Sequence, residues 1–352
     1  MAMWDVVVVG AGLSGLTAAR QLQQAGYTVL VVDKSRGLGG RMATRRVHDT
    51  PVDHGCRFLQ PFRDLTPSPL PEWLAAGILQ PWSPAAFTLD GDGLLTPQIN
   101  TGPYYSCPSG MSAVAKALAL DLHIQRQCRV AGLAPIPEGW RLEVESEAEH
   151  TETLGAKAVI LAIPAPQIGP ILHQTAPDTP AIADFLRPLE AVEFEPVITV
   201  MAGYGPGAQA QLKFHTGLRE GWMIFGASSS LIRWVGLDSS KHPASTEPVV
   251  VLHSHAEFAQ IHLDDPSLEP AAQMLLETAS QIIGGWLTTP DWVQIHCWRY
   301  GFVRTPLTQS VLTTPALPTL LACGDWCGSL NAAAALLSGR AAAAVVAETL
   351  GQ

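Results

Sequence analysis

No stretch of eighteen or more uncharged apolar residues occurs in the 352 residues, which excludes an evident membrane-spanning helix. The alanine-rich segment Ala332–Val346 comes nearest, but Ser338, Gly339 and Arg340 interrupt it, and it reads as a packed helix. Basic residues are also scarce: 21 Lys and Arg stand against 31 Asp and Glu, for a net charge of −10. Nucleic acid and anionic membranes are held by clustered Lys and Arg, so neither is expected as a partner. Six cysteines are scattered through the chain (Cys56, Cys107, Cys128, Cys297, Cys323, Cys327) without a C-x-x-C pair, and they read as reduced structural thiols. The opening residues lack the basic region, apolar core and cleavage site of a signal peptide, so a cytoplasmic location is expected. His253 and His255 alternate, but no third ligand of suitable spacing lies near them, so no metal is expected.

What the chain does have begins at once. Val6–Val9 are four β-branched residues without alternation, as in a strand covered on both faces of a parallel sheet. They run into Gly10-x-Gly12-x-x-Gly15, with Ser14 inside the turn. Leu13, Leu16, Ala19 and Leu22 then recur at helical spacing, so the helix N-terminus can face phosphate. A second apolar run, Thr28–Val32, ends on Asp33, eighteen residues after Gly15, where an acid would bind ribose hydroxyls. Strand, glycines, helix, strand and acid in that order predict a dinucleotide site. With 47% hydrophobic residues and this length, two structural units are expected.

Next comes Lys34-Ser-Arg36-Gly-Leu-Gly-Gly40-Arg41-Met42-Ala-Thr44-Arg-Arg46, glycine-rich and with four arginines in eleven residues. Glycines bring backbone close to a ligand, and arginines offer bidentate bonds to a diphosphate. Asp53-His54-Gly55 follows. Together with the first turn, these stretches resemble the amine-oxidase superfamily of FAD-dependent oxidoreductases, whose second signature is R-x-G-G-R followed by Ser or Thr. Here Arg36 lies one position further from the glycine pair. The resemblance implies that Lys34–Thr44 passes the pyrophosphate and reaches the flavin, with Asp53-His54-Gly55 beside the isoalloxazine.

Seven prolines between residues 61 and 97 break any long element, and this segment reads as an excursion that adds an edge or lid to a second unit. Gly110–Leu118 resumes a helix, and Val130 matches the position where the family contacts adenine. Trp140–Val144 alternates like a strand, Glu145–Glu152 forms a hairpin tip, and Ala158–Ile163 is continuously apolar. Strands are expected at Val197–Ala202, Trp222–Gly226, Ile232–Gly236 and Val249–His253, and a helix at Pro270–Trp286. Gly203–Ala208 reads as a hairpin turn, because Pro206 and the polar sequence after it do not suit a phosphate-capping helix. Without a second nucleotide fingerprint, the reductant is expected to meet the flavin directly.

Ile295-His-Cys297-Trp298-Arg299-Tyr300 resembles the H-R-W-R-Y segment of renalases, a branch of that superfamily, with Cys at 297 where Arg is usual. On a strand Trp298 and Tyr300 would share one face and Arg299 the other. Leu320–Cys323 running into Gly324-Asp325 resembles the superfamily's last flavin motif, and the helix from Asn331 would lie with its N-terminus under the flavin pyrimidine.

The expected fold class is α/β: a Rossmann-type FAD-binding domain (1–60, 101–165, 301–352) with a smaller α+β substrate domain (61–100, 166–300), similar to two-domain flavoproteins of the amine-oxidase and p-hydroxybenzoate-hydroxylase type. FAD is expected to be noncovalent, held by Gly10, Gly12, Ser14, Gly15, Asp33, Lys34, Arg36, Gly40, Arg41, Met42, Thr44, Asp53, His54, Gly55, Val130, Gly324, Asp325 and Asn331. Trp298, Tyr300, His54 and Arg57 are the candidates on the catalytic side. The renalase resemblance implies hydride transfer from an isomeric dihydronicotinamide (2- or 6-dihydro-NAD(P)) to flavin N5, with O2 giving H2O2. Hydride donation needs positioning more than a strong acid or base, which suits a chain without a Ser-His-Asp set or carboxylate pair. An amine oxidase, a desaturase acting on an apolar substrate, and a non-catalytic flavin-binding redox sensor are the alternatives. A monomer or weak dimer is expected.

Overall fold

The computed structural model describes residues 3–62, 65–98, 102–146, 151–173, 179–205, 207–208, 221–328 and 331–351. Two sheets organise them. At the centre of the first lies β1 (Met3–Val9), with Val6, Val7 and Val8 fully buried, because parallel neighbours flank it and helices or loops cover both its faces. On one side is β2 (Val29–Asp33), in register Val6 to Val29 through Val9 to Val32; on the other is Thr151–Leu161, which places Val9 opposite Leu161. The sheet continues outward through His123–Arg126 beside β2 and Leu317–Ala322 beside Thr151–Leu161. The antiparallel strands Cys128–Ile136 and Gly139–Ser146 lead into Thr151–Leu161, and residues 147–150 of the expected hairpin tip lie outside the described residues.

Between β1 and β2 runs α1 (Leu13–Gln24), whose apolar face packs on the sheet. The final helix, Ala332–Leu350, is long and apolar enough to span a membrane by length and composition, yet it packs against α1 as part of the first core. Gly339 makes that approach possible: a side-chain carbon there would overlap the Ser14 carbonyl oxygen. The packed helix expected from the Ala-rich segment is what the fold contains.

Seven strands form the second sheet, in the order Trp292–Thr305, Glu193–Gly203, Val249–Ser254, Ile232–Leu237, Trp222–Gly226, Ala85–Leu89 and Leu95–Pro97. The helix Glu269–Ile283 buries Ala272, Leu275, Leu276 and Ala279 against the outer face, onto Val200, Ala202 and Leu252. Met201, Trp234 and Val251 point the other way, toward Val47 and Val52 of the hairpin Thr44–Val47/Thr50–Asp53, as the period-two alternation of strands requires.

The boundaries between the two units differ from those read from composition. Leu70 and Trp73 pack into the first core, while Ala85–Pro97 joins the edge of the second sheet. Ile168, Ile171, Leu172, Ile182 and Phe185, spaced along two short helices, also bury against the first sheet, so the chain crosses over at Glu193 rather than 166 and returns after Thr305. Gly203 does not open a hairpin between neighbours. Its strand pairs with Val249–Ser254 and Trp292–Thr305, and the Trp292 indole occupies the space a side chain at 203 would need; Pro206 lies outside the described residues.

Gly339→Val should wedge the final helix away from α1 and cost about 1–3 kcal/mol, since valine recovers little helix propensity for the added volume. A lower urea midpoint at unchanged slope would register it.

Candidate active site

The first glycine turn is shaped by backbone contacts. Gly10 has φ +110°, and a side chain there would overlap the Ala162 carbonyl oxygen; one at Gly15 would overlap the Gly10 oxygen. These two glycines let strand and helix meet. Gly12 is different, since a side-chain carbon there would meet nothing within 4 Å and it borders open space. As N-cap of α1 it brings no side chain to satisfy the first helical N–H groups, which stay available to an anion. The second glycine stretch locks onto this turn: the Gly39 amide donates to the Ala11 carbonyl at 2.8 Å. Asp33 accepts from the Ala11 amide (2.6 Å) and the Ser35 amide (2.7 Å), so the acid also holds the turn in place.

These segments border one cavity of about 890 Å³ that reaches from the first sheet to the second. Gly12, Ser14, Asp33, Lys34, Gly40, Arg41, Met42, Gly55, Val130, Gly324, Asp325 and Asn331 all border it. Arg41 and Asp325, far apart in sequence, meet across it in a bidentate pair, both contacts 2.7 Å. The hairpin carrying Val130 has a bulge between Val130 and Gly132, which releases backbone polar groups from the ladder where it borders the cavity. Asn331 caps the final helix by accepting from the Ala334 amide, and Ser338 of that helix accepts from the Gly324 amide. An open helix N-terminus, a glycine cradle, an arginine, two acids and a second helix N-terminus fit the pyrophosphate, ribose and ring of FAD.

Five expected cofactor contacts lie off the cavity wall. Gly15 is used for packing, and Arg36 offers its carbonyl to Arg126 (3.0 Å). Thr44 and Asp53 belong instead to a buried knot behind the wall. Asp53 accepts from the Thr44 hydroxyl (2.7 Å), the Met111 amide (2.8 Å) and the Lys241 ammonium (2.8 Å). Lys241 also pairs with Asp238 at 2.5 Å and donates to the Arg57 carbonyl at 3.0 Å. His242 lies 3.3 Å from Asp238, and all four of these ionisable side chains are fully buried. Burial pushes the ammonium down, but Asp238 and Asp53 outweigh it and hold Lys241 above its ordinary value; burial likewise pushes Asp238 up, and Lys241 with His242 brings it below the usual carboxylate range. Asp53, Asp238 and His242 lie close enough to share a metal ion, but the Lys241 ammonium already bridges the two carboxylates. In sequence the Asp238–His242 segment is an ordinary polar loop, and only its i, i+3, i+4 spacing of Asp, Lys and His hints at the knot.

His54 is the fifth. Its ring is buried behind the wall, stacked on Trp298 (5.4 Å between centroids, 23°) and edge-on to His296 (5.2 Å). Trp298 donates from its indole nitrogen to the His54 carbonyl at 2.9 Å, so His54 positions Trp298 rather than meeting a ligand. Trp298 and Tyr300 border the cavity, and Arg57 faces it. Arg299 extends outward to pair with Asp264 at 2.6 Å, although its strand segment also borders the cavity. His253, His296 and Phe302 complete this end, and none of the three was singled out as a site residue from sequence.

Residues 82–347, about three quarters of the chain, match the family described as flavin containing amine oxidoreductase, and residues 8–68 match the NAD(P)-binding Rossmann-like domain. The AofH protein of Mycobacterium tuberculosis, by its description a flavin-containing monoamine oxidase, is 50% identical over 60 residues; the match takes in 17% of this chain and 13% of that protein. Whole-chain shape is similar to that of cyclohexylamine oxidase from Brevibacterium oxydans (TM-score 0.74, 13% identity, 99% of this chain and 100% of that one). It is also similar to putrescine oxidase (TM-score 0.72, 15% identity, 100% of both chains).

Removing the ammonium from the knot would leave two buried carboxylates facing each other. Lys241→Met should therefore cost about 3–5 kcal/mol, read as a lower denaturation midpoint, and adding Asp238→Asn should recover part of the loss. A pH dependence follows from the histidines. Burial, reinforced by the His296 and Arg45 charges, holds His54 down at about 3, and burial with Arg45 holds His296 at about 4. Unfolded, both titrate near 6.5. Their stability contribution is complete above that pH. It is lost as pH falls toward 4 and then 3, at up to about 1.4 kcal/mol per pH unit for each ring. Melting curves from pH 8 to 4 should show this decline, and His54→Gln should flatten it.

Proposed function

The chain belongs to the flavin-containing amine oxidoreductase family, and on that footing we propose that it is an FAD-dependent oxidase of the renalase-like branch. Its electron donor is an isomeric dihydronicotinamide (2- or 6-dihydro-NAD(P)) in place of a protonated amine. Noncovalent FAD, which the glycine turns and the Arg41–Asp325 pair would hold, would supply the hydride acceptor, with O2 as the final acceptor and H2O2 as the product.

One observation carries the choice of donor. Among the described residues, the acids that border the cavity are Asp33 and Asp325, both at the dinucleotide end, whereas the end built by the second sheet presents Trp298, Tyr300, Phe302 and the Arg57 guanidinium. A protonated amine there would lose its hydration without gaining a carboxylate, beside a fixed positive charge. A planar, uncharged ring suits these walls. The residues' work is then to orient the donor and exclude water: Trp298 is fixed by His54, and Tyr300 packs edge-on against Phe194 at 5.5 Å. Relatives named as amine oxidases, together with the aromatic walls, support a second reading in which the substrate is an amine that binds uncharged.

Anaerobic mixing of the FAD-loaded protein with borohydride-treated nicotinamide dinucleotide, which contains the isomers, should bleach the flavin faster than purified 4-dihydro NADH does, with H2O2 formed on admitting air. Equal or absent bleaching, or faster bleaching by putrescine or cyclohexylamine, would overturn the dihydronicotinamide assignment.

A further inference from the structure

Behind the aromatic wall, the second sheet places four polar side chains in one row. Trp234 pairs with His253, His253 with Thr199, and Thr199 with His296, across four adjacent strands. Residues directly opposite in a sheet share a face, and this is the face turned toward the cavity. His253 borders the cavity, is 2% exposed, and neither ring nitrogen has a hydrogen-bond partner. The Thr199 hydroxyl beside it is also buried and unpartnered. Unmade hydrogen bonds at buried groups are costly, and several together mark a place where a ligand supplies the partner.

Arg57 stands over this row. Its guanidinium lies 5.3 Å from the Trp234 ring centre, and Trp234 is 5.6 Å from the His253 ring. Phe58, Phe225 and Phe302 also surround it at 5.4–5.9 Å, and no carboxylate among the described residues pairs with it. Its backbone is fixed, because the Arg57 carbonyl accepts from Lys241 in the buried knot. Burial lowers the guanidinium to about 10, which leaves it fully charged at neutral pH. A half-buried cation in an aromatic cage, open on the cavity side, lacks only an anion.

We propose that Arg57 and His253 form an oxyanion subsite that holds a carboxylate on the hydride donor. A carboxylate is favoured over a phosphate because its plane matches the guanidinium fork. A phosphate dianion would call for a second cation, and the neighbouring Arg233 is committed to Glu195 at 2.6 Å. The subsite rests on the reading that this end receives the donor, and it goes beyond that reading: besides the carboxamide-bearing dihydronicotinamide, the site also takes a dihydropyridine whose ring bears a carboxylate, and binds it more tightly.

Calorimetric titration of the FAD-loaded protein with benzoate, benzamide and benzylamine tests this without turnover. Benzoate should bind roughly ten- to hundredfold more tightly than benzamide, and benzylamine more weakly than both. Arg57→Met should abolish the preference, and His253→Phe should weaken benzoate several-fold while flavin content is retained. Equal affinities in the parent protein, a preference that survives Arg57→Met, or tightest binding by benzylamine would overturn the subsite. Should Arg57→Met lose its flavin, Arg57→Lys is read instead: weaker benzoate with unaltered benzamide is expected, and undiminished benzoate overturns the assignment. If benzoate binds through Arg57 while dihydronicotinamide isomers leave the flavin oxidised, the donor assignment falls and the subsite stands. Bleaching by the isomers without a benzoate preference means the reverse.

Discussion

The Lys241 ammonium, held between Asp53 and Asp238, is the interaction on which the rest of the site depends. Taking three charges out of water costs several kcal/mol per ion, and only complete partnering offsets it. The knot has that partnering. Asp53 accepts from Thr44, Met111 and Lys241, Asp238 accepts from the Asp53 amide, and Lys241 reaches the Arg57 carbonyl. A shift of the hairpin relative to the second sheet would break several of these bonds together, so one relative placement of the two units is selected. Gly55 and Arg57 follow directly from that hairpin and inherit its position.

The fold was legible where one local signal had one physical meaning. Val6–Val9, the glycine turn, Asp33 and the Ala-rich final helix each state their surroundings through residue type, and the second sheet's strands at Trp222–Gly226 and Val249–Ser254 lie where β-branched and aromatic runs place them. Long-range pairing was not legible. Thr44 and Asp53 read as cofactor contacts because they stand in the stretches that resemble the flavin motifs, yet the Lys241 ammonium and Met111 amide that Asp53 accepts from, and the Ser112 amide that Thr44 accepts from, come from distant segments. His253 alternates with His255 in the sequence, but its position opposite Thr199 and Trp234 is supplied only by the sheet order. The unit boundaries were hidden in the same way, since the spaced apolar residues from Ile168 to Phe185 could have covered either sheet.

The strand Trp292–Thr305 shows how a local irregularity shapes the wall. Trp298 pairs with Val197 and Phe302 with Glu195, so three residues of one strand oppose the single Pro196 of the other. Proline has no amide hydrogen to give the ladder, and the extra residues bend the strand at that point. The bend explains why His296 through Phe302 borders the cavity as a continuous run, where a flat strand would present alternate residues only. Two independent constraints therefore meet at the second-sheet end of the cavity: a bent strand that supplies the aromatic wall and a buried ion network that fixes Arg57 opposite it. Neither includes the glycine turns or the Arg41–Asp325 pair, so the second-sheet end of the cavity can change while those stay as they are.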